Sequence, residues 1–494
     1  MVKGPDGNLW FTDQYNGQIG RINIPASQRI AVAADGGLRI DDDGFGNCVR
    51  CRRQRDRRAR HVRLSSAFVT QTVSSGSANV VAATLNGVIS SLALSVSPLQ
   101  PVAGTASTMT VSATAYDADG NVIVGPGEYA APVQLSIVDP ANSGTLSLST
   151  GVLQQPGATS TLSYNGKILA SASVSASLSG VNPVSVTIAP APSVTTYPLP
   201  NANSSPLDLT VDAANNLWFT EQAGNRIGGL PNGSTTFNER MVPTSDANPT
   251  GIAVGLDGRI WFTEADANKI GAMTTSGAFS EFATAAANDT PILITERGDG
   301  TMWYTGFYGN DLEYLKESGG SAVSFPVPSA NALPQGIAVG PNGLLFFTEL
   351  SAGRIGSLFD GASSASEYAI TLPARDGNAT PSAQAIVEGP DGNMWFTDFG
   401  TSAIGRFSVG TSSIVEYPTP TPNSQPSYIT SGTDGAVWFT EATANKIGRI
   451  TTGGTITEYA LGASCSSPRG IAVRSNGVVW VTCFLSNALA RLIY

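Results

Sequence analysis

Five acidic residues recur at one place in a repeated phrase. Glu221, Glu264, Glu349, Asp398 and Glu441 each close a run of the form Trp/Phe-Phe-Thr-Glu/Asp, whereas Gly306 and Cys483 break the column. Carboxylates converging on an axis can hold Mg2+ or Ca2+ through water, and a positioned carboxylate can serve as a base. On that chemistry Glu264, Glu349 and Glu441 are candidate catalytic groups with Arg469 as electrophile, and all five column acids are candidate metal ligands. The plainer alternative is that each carboxylate bonds backbone amides of the adjacent repeat. A second column opens each inner strand and reads Leu207, Thr250, Ile292, Gln335, Gln384, Ser427 and Arg469, after a proline in every repeat but that of Gln384. Variety on a rigid frame suits recognition. Thr250, Gln335, Gln384, Ser427 and Arg469 are therefore the candidate ligand-binding set, for a small molecule, glycan or protein.

Other chemistry-bearing residues are less specific. Cys48 and Cys51 with His61 supply three metal ligands, one short of a zinc site, inside an arginine-rich stretch that reads more simply as a basic linker. Asp117, Asp119, Asn121 and Glu128 have the spacing of a calcium loop, but Val122 stands where glycine is needed. A hairpin turn at Asp119-Gly120 is the better reading. Cys465 and Cys483 fall on one rim of the last repeat; a disulfide and two reduced buried thiols are both open.

The frame behind these columns is a repeat of about 40–45 residues, the signature of a propeller built from four-stranded blades. Its aromatic column reads Trp218, Trp261, Trp303, Phe346, Trp395, Trp438 and Trp480, and every tryptophan in the chain, counting Trp10, falls in such a column. Trp261 and Phe262 are adjacent, so they point to opposite faces of a strand and pack on both neighbouring blades. The strand at Val194 precedes the first full repeat and the chain stops after a third strand. The two ends must then share a blade, giving a closed seven-bladed β-propeller over 193–494 without exposed edges.

The remaining chain divides by composition. Residues 1–25 hold an orphan propeller repeat, read as the truncated tail of an earlier propeller, and 26–65 an irregular basic linker. Residues 66–90 read as partial immunoglobulin-like strands and 91–190 as an immunoglobulin-like β-sandwich, from their alternating pattern and an internal echo of Ser77–Val88 at Ser171–Val181. The class is all-β. Charged residues make up 13% and the formal net charge is −10, which disfavours nucleic-acid binding. No apolar run approaches the ~20 residues of a membrane span. A monomer without a resident cofactor is expected, Mg2+ or Ca2+ being the candidates if one is present.

The phrases GPDGNMWFTD at Gly389–Asp398, ANKIGRI at Ala444–Ile450 and PRGIAV at Pro468–Val473 resemble the virginiamycin B lyase (streptogramin lyase) family, over 194–494 and again over 4–22. The resemblance implies a seven-bladed propeller that opens a cyclic depsipeptide antibiotic by elimination, with magnesium. It also implies a histidine directly after the inner-strand proline and a glutamate closing WFTE. The glutamate column is kept, but the histidine column is absent, since the one histidine of the chain is His61. A base titrating near neutrality is thus missing where the family keeps it. The motif ATAYDADGNVIVG at Ala113–Gly125 resembles bacterial immunoglobulin-like domains of surface and secreted proteins. The expectation is a ligand-binding propeller of an extracellular, cell-surface or periplasmic protein. The alternative is a metal-assisted carbon–oxygen lyase of streptogramin B-type depsipeptides, or a related hydrolase.

Overall fold

The computed structural model describes residues 88–494, apart from 125–127, 140–143, 168, 170–171, 360–361, 363 and 371–379, together with the backbone of seven short strands before residue 88. Two compact units divide the chain at 191/192. Among the described residues the helical content is one 3-10 turn, Pro341–Gly343, and no helix is long and apolar enough to cross a membrane.

The first unit contains two larger sheets. Strand Ser107–Tyr116 buries Met109, Val111, Ala113 and Ala115 on one face, the period-two pattern expected of a half-buried strand. Its sheet and the four-stranded sheet around Val133–Val138 share one core, with Val111 and Leu162 from one meeting Val133 and Val174 from the other. The Asp119-Gly120 turn forms as read: Asp117 accepts the amides of Asp119 and Asn121 at 3.0 and 2.8 Å, and Val122 pairs with Tyr116. Two pairings fall in stretches read separately from the sequence. Ala83–Leu85, assigned to a preceding partial domain, pairs in parallel with Val122–Val124 of the larger sheet. Within the stretch read as an irregular linker, Arg29–Val32 and Leu38–Asp41 pair as strands, because each is a short run rich in β-branched or apolar residues. The repeat at the N-terminus forms a three-stranded antiparallel sheet. Cys48, Cys51 and His61, and most of the insert at Ala374–Gln384, lie outside the described residues.

The second unit is a β-propeller. Its described residues form seven four-stranded antiparallel sheets. The innermost strands, from Pro206–Val211 to Pro468–Val473, neighbour one another in chain order, and the last returns to the first. Closure comes from Ser193–Pro198, which pairs along its whole length with Ala488–Ile493, from Ser193 opposite Ile493 to Pro198 opposite Ala488.

Side chains explain why the sheets stack. Trp261 and Phe262 are both fully buried, one on each face. The glycine of each Ile-Gly pair lies beneath the phenylalanine ring: a Cβ at Gly271 or Gly448 would overlap Phe262 or Phe439. A threonine then fastens each sheet to the next. Thr220 donates to the carbonyl of Thr250 at 2.8 Å, Thr440 to that of Arg469 at 2.7 Å, and Thr482 to that of Leu207 at 2.7 Å, so the fastening runs across the closure.

Candidate functional site

Register brings the two candidate columns to one end of the ring. Pro249 pairs with Glu264, Pro334 with Glu349, Ala383 with Asp398 and Pro426 with Glu441. A bulge follows each proline or alanine, so the next residue departs from the regular ladder. The residue before the proline is left-handed even where its side chain resists it, at Thr290 (φ 55°) and Leu333 (φ 54°). Strain of this kind gathers where a loop has to hold one shape.

Three of the five candidate binding residues meet. An Arg469 guanidinium nitrogen donates to the Ser427 hydroxyl at 3.1 Å, and that hydroxyl donates to Gln384 Oε1 at 3.0 Å. The chain spans three consecutive sheets. Arg469 also lies 5.9 Å from the Phe484 ring centre. Thr250 and Gln335 belong to other sheets: the buried Thr250 hydroxyl donates to Asn248, and the Gln335 carbonyl accepts Thr305.

Two neighbours of this chain were not singled out from sequence, Asp208 and Tyr428. Desolvation, then the charge of Asp208, pushes the Tyr428 phenol up, and Arg469 opposes this. Desolvation also lifts Asp208 to about 7, against the amides of Leu209 and Ile252, which it binds at 2.9 and 3.1 Å. Each Asp208 oxygen therefore already has a backbone donor, and the carboxyl joins the first two sheets. The signal was present: both residues occupy the third position of an inner strand, where the other repeats have glycine, alanine or leucine.

The column acids are placed otherwise. Glu221, Glu264, Glu349 and Glu441 are all buried; no donor among the described residues reaches either Glu264 oxygen, whereas the Ser204, Ser329 and Ser424 hydroxyls lie beside Glu221, Glu349 and Glu441 and oppose their upward shift. Burial pushes each up to about 7, and a glutamate on the outer strand of the same sheet adds to the shift in every case. Those partners are Glu239, Glu281, Glu367 and Glu458. Glu281 and Glu458 stay below the usual range despite partial burial, because a lysine, a threonine hydroxyl and a threonine amide bind them. In the second and sixth sheets the inner acid is thus raised and the outer one lowered. The fifth sheet differs. Asp398 accepts the amides of Ser382, Gly400 and Thr401, and Glu416 is pushed up to about 8 by burial and by Asp398.

Each column acid lies beside an outer-strand glutamate of its own sheet. Among the described residues, the acids close enough together for one ion are Asp289, Asp311 and Glu313 of the third sheet, none of them in the column. Where the column is broken at Cys483, that residue forms a disulfide with Cys465, with a Cα separation of 5.0 Å.

Sequence and structure comparisons point one way. The chain matches the Virginiamycin B lyase family over residues 178–383 and 370–494. A selenomethionine virginiamycin B lyase from Staphylococcus aureus is similar at 30% identity and a TM-score of 0.57, over 62% of this chain and 100% of that one. A streptogramin B lyase structure is similar at 33% identity and 0.57, over 61% and 97%. A third, at 29% identity and 0.57 over 62% and 100%, is a catalytically inactive histidine-to-alanine variant of the Staphylococcus aureus lyase with quinupristin. No curated protein matches the chain.

Proposed function

The chain belongs to the virginiamycin B lyase family, and from that premise we propose that its propeller binds a ligand at the rim of the inner strands without opening it. The observation that carries this reading is the Gln384–Ser427–Arg469 chain, which presents a guanidinium and two polar groups where the family resemblance places a histidine. An arginine cannot act as a base near neutrality, but it binds carbonyl and carboxylate oxygens well. In the Staphylococcus aureus relative, the variant lacking one histidine is inactive and is described with quinupristin. Loss of a histidine and retention of a ligand are compatible there, and we carry that combination over to this chain.

On this reading the seven sheets are the blades of a seven-bladed propeller, acting as a monomer. The two-sheet unit before it is an immunoglobulin-like spacer in a secreted or surface protein. The ligand is a cyclic depsipeptide or a molecule similarly rich in acceptor oxygens. Thr250 and Gln335 extend the binding rim around the ring. A magnesium-assisted lyase is the weaker reading, because the column acids are not among the described acids that lie close enough together in threes to share one ion.

Quinupristin is the probe. Calorimetry should show saturable binding that R469A and Q384A weaken, with circular dichroism and melting unchanged. Mass spectrometry after long incubation with Mg2+ should show the intact ring. Ring-opened product would overturn the non-catalytic reading, and absence of binding would overturn the ligand class.

A further inference from the structure

In the third sheet, acids stand where the other sheets place quite different residues. By register, Asp311 is opposite Gly306 as Lys269 is opposite Glu264 and Lys446 opposite Glu441. Glu313 takes the place of Gly271, and Asp289, two residues before the inner-strand proline, that of Ala247. The column acid has itself become glycine. These exchanges fit one another, since Tyr304 replaces the phenylalanine and its hydroxyl donates to Glu313 Oε2 at 2.6 Å.

All three acids are buried, with Asp289 1%, Asp311 6% and Glu313 0% exposed. One oxygen of each has a protein donor: Ala286 N to Asp289 at 3.1 Å, the Ser324 hydroxyl to Asp311, and Ala285 N with Tyr304 to Glu313. The other oxygens, Asp289 Oδ1, Asp311 Oδ1 and Glu313 Oε1, receive no protein N–H or O–H donor, and the carboxyls of Asp289 and Glu313 lie within hydrogen-bonding reach of each other. An oxygen from each of the three side chains lies within 4.8 Å of the others. Bare backbone borders this space: a Cβ at Gly309 would overlap Asp289 Oδ1 and lie 2.8 Å from Asp311 Oδ1.

Three carboxyls cannot share a dry space as anions without a counter-charge. The first, second, fourth and sixth sheets carry one at the place of Asp311, namely Arg226, Lys269, Arg354 and Lys446. The third does not. Donor oxygens less than about 5 Å apart suit one ion bound at roughly 2.3–2.6 Å, and an enclosed all-oxygen site favours Ca2+ over Mg2+, which keeps several waters. We propose that Asp289, Asp311 and Glu313 form a buried Ca2+ site, the ion doing in the third sheet what a lysine or arginine does in its neighbours.

The test uses the full chain, stripped with EDTA and titrated with Ca2+ alone while melting is followed. Saturating Ca2+ should raise the melting temperature by several degrees. Tb3+ should give sensitised emission from the adjacent Tyr304, and Ca2+ should quench it by competition. D311N and E313Q should lose both effects. D311K restores the residue type of the neighbouring sheets, so it should melt near the Ca2+-loaded temperature and ignore the ion. If D311K fails to fold, the Tb3+ signal of D311N against the parent still decides. A parent chain indifferent to Ca2+ and Tb3+ would overturn the proposal in favour of shared protons. A Ca2+ response persisting in both D311N and E313Q would overturn it by placing the ion elsewhere.

Discussion

In the second sheet Phe262 lies over Gly271, and Glu264 sits across from Lys269 with Glu281 on the outer strand. In the third, Tyr304 lies opposite Glu313, Gly306 faces Asp311, and the outer-strand glutamate is Ser324. The two sheets share register and bulge. What passes from one repeat to the next is therefore a filled volume and a settled charge, reached by different side chains. The seventh sheet makes the same point with smaller groups, Val481 opposite Ala490.

The sharpest way to break the comparison is to move one member without the others. G271E puts the acid of the third sheet beneath Phe262, where a Cβ alone already overlaps the ring. Overpacking plus an unpartnered buried carboxyl should cost about 3 kcal/mol or more in urea unfolding. Adding F262Y and E264G should restore part of that loss, because the trio then matches Tyr304, Gly306 and Glu313. A single variant as stable as the parent would show that the glycine is not required by the ring.

A smaller effect should come from Y304F, which gives the third sheet the ring of the second. Packing is kept and only the 2.6 Å bond to Glu313 is lost. Removing a donor from a buried carboxyl costs about 1–3 kcal/mol. An unchanged urea midpoint would mean that Glu313 finds its donors elsewhere.

The comparison also shows which parts of the molecule were legible in the sequence. The propeller, the pairing of Ser193–Pro198 with the last strand and the shared end of the two columns follow from repeat phase alone. The Trp-Phe doublet signals two buried faces because alternation leaves no other choice. The partners of the column acids were harder to find, although a glutamate recurs in five of the seven outer strands, as in FSEFA and ITEYA. Pairing Glu264 with Glu281 needs the register of three strands, which one line of sequence does not display. The break at Gly306 was visible, but its compensation at Asp289, Asp311 and Glu313 is dispersed over a loop and a strand. The disulfide stayed open for a similar reason, since its Cα separation is a property of the fold.

The gentlest probe of the comparison is pH. The folded state holds Glu264 up at about 7 against an ordinary value of 4.5, chiefly by burial. A carboxyl raised on folding binds its proton more tightly in the native state. Its contribution is complete below the unfolded value and fades as pH rises through 4.5 towards 7. Glutamine is neutral at every pH, so E264Q should flatten the decline of the urea midpoint over that window while changing little at its acid end. The effect should be modest, because Lys269 already offsets part of the burial and Glu281, which is lowered, titrates with the opposite sign. D311N in the same titration without Ca2+ serves as the contrast, since the third sheet has Asp311 at the place where the second has Lys269. Identical slopes for the parent and E264Q would mean that Glu264 is not raised in the folded chain, and the raised-inner, lowered-outer arrangement of the second sheet would fall with it.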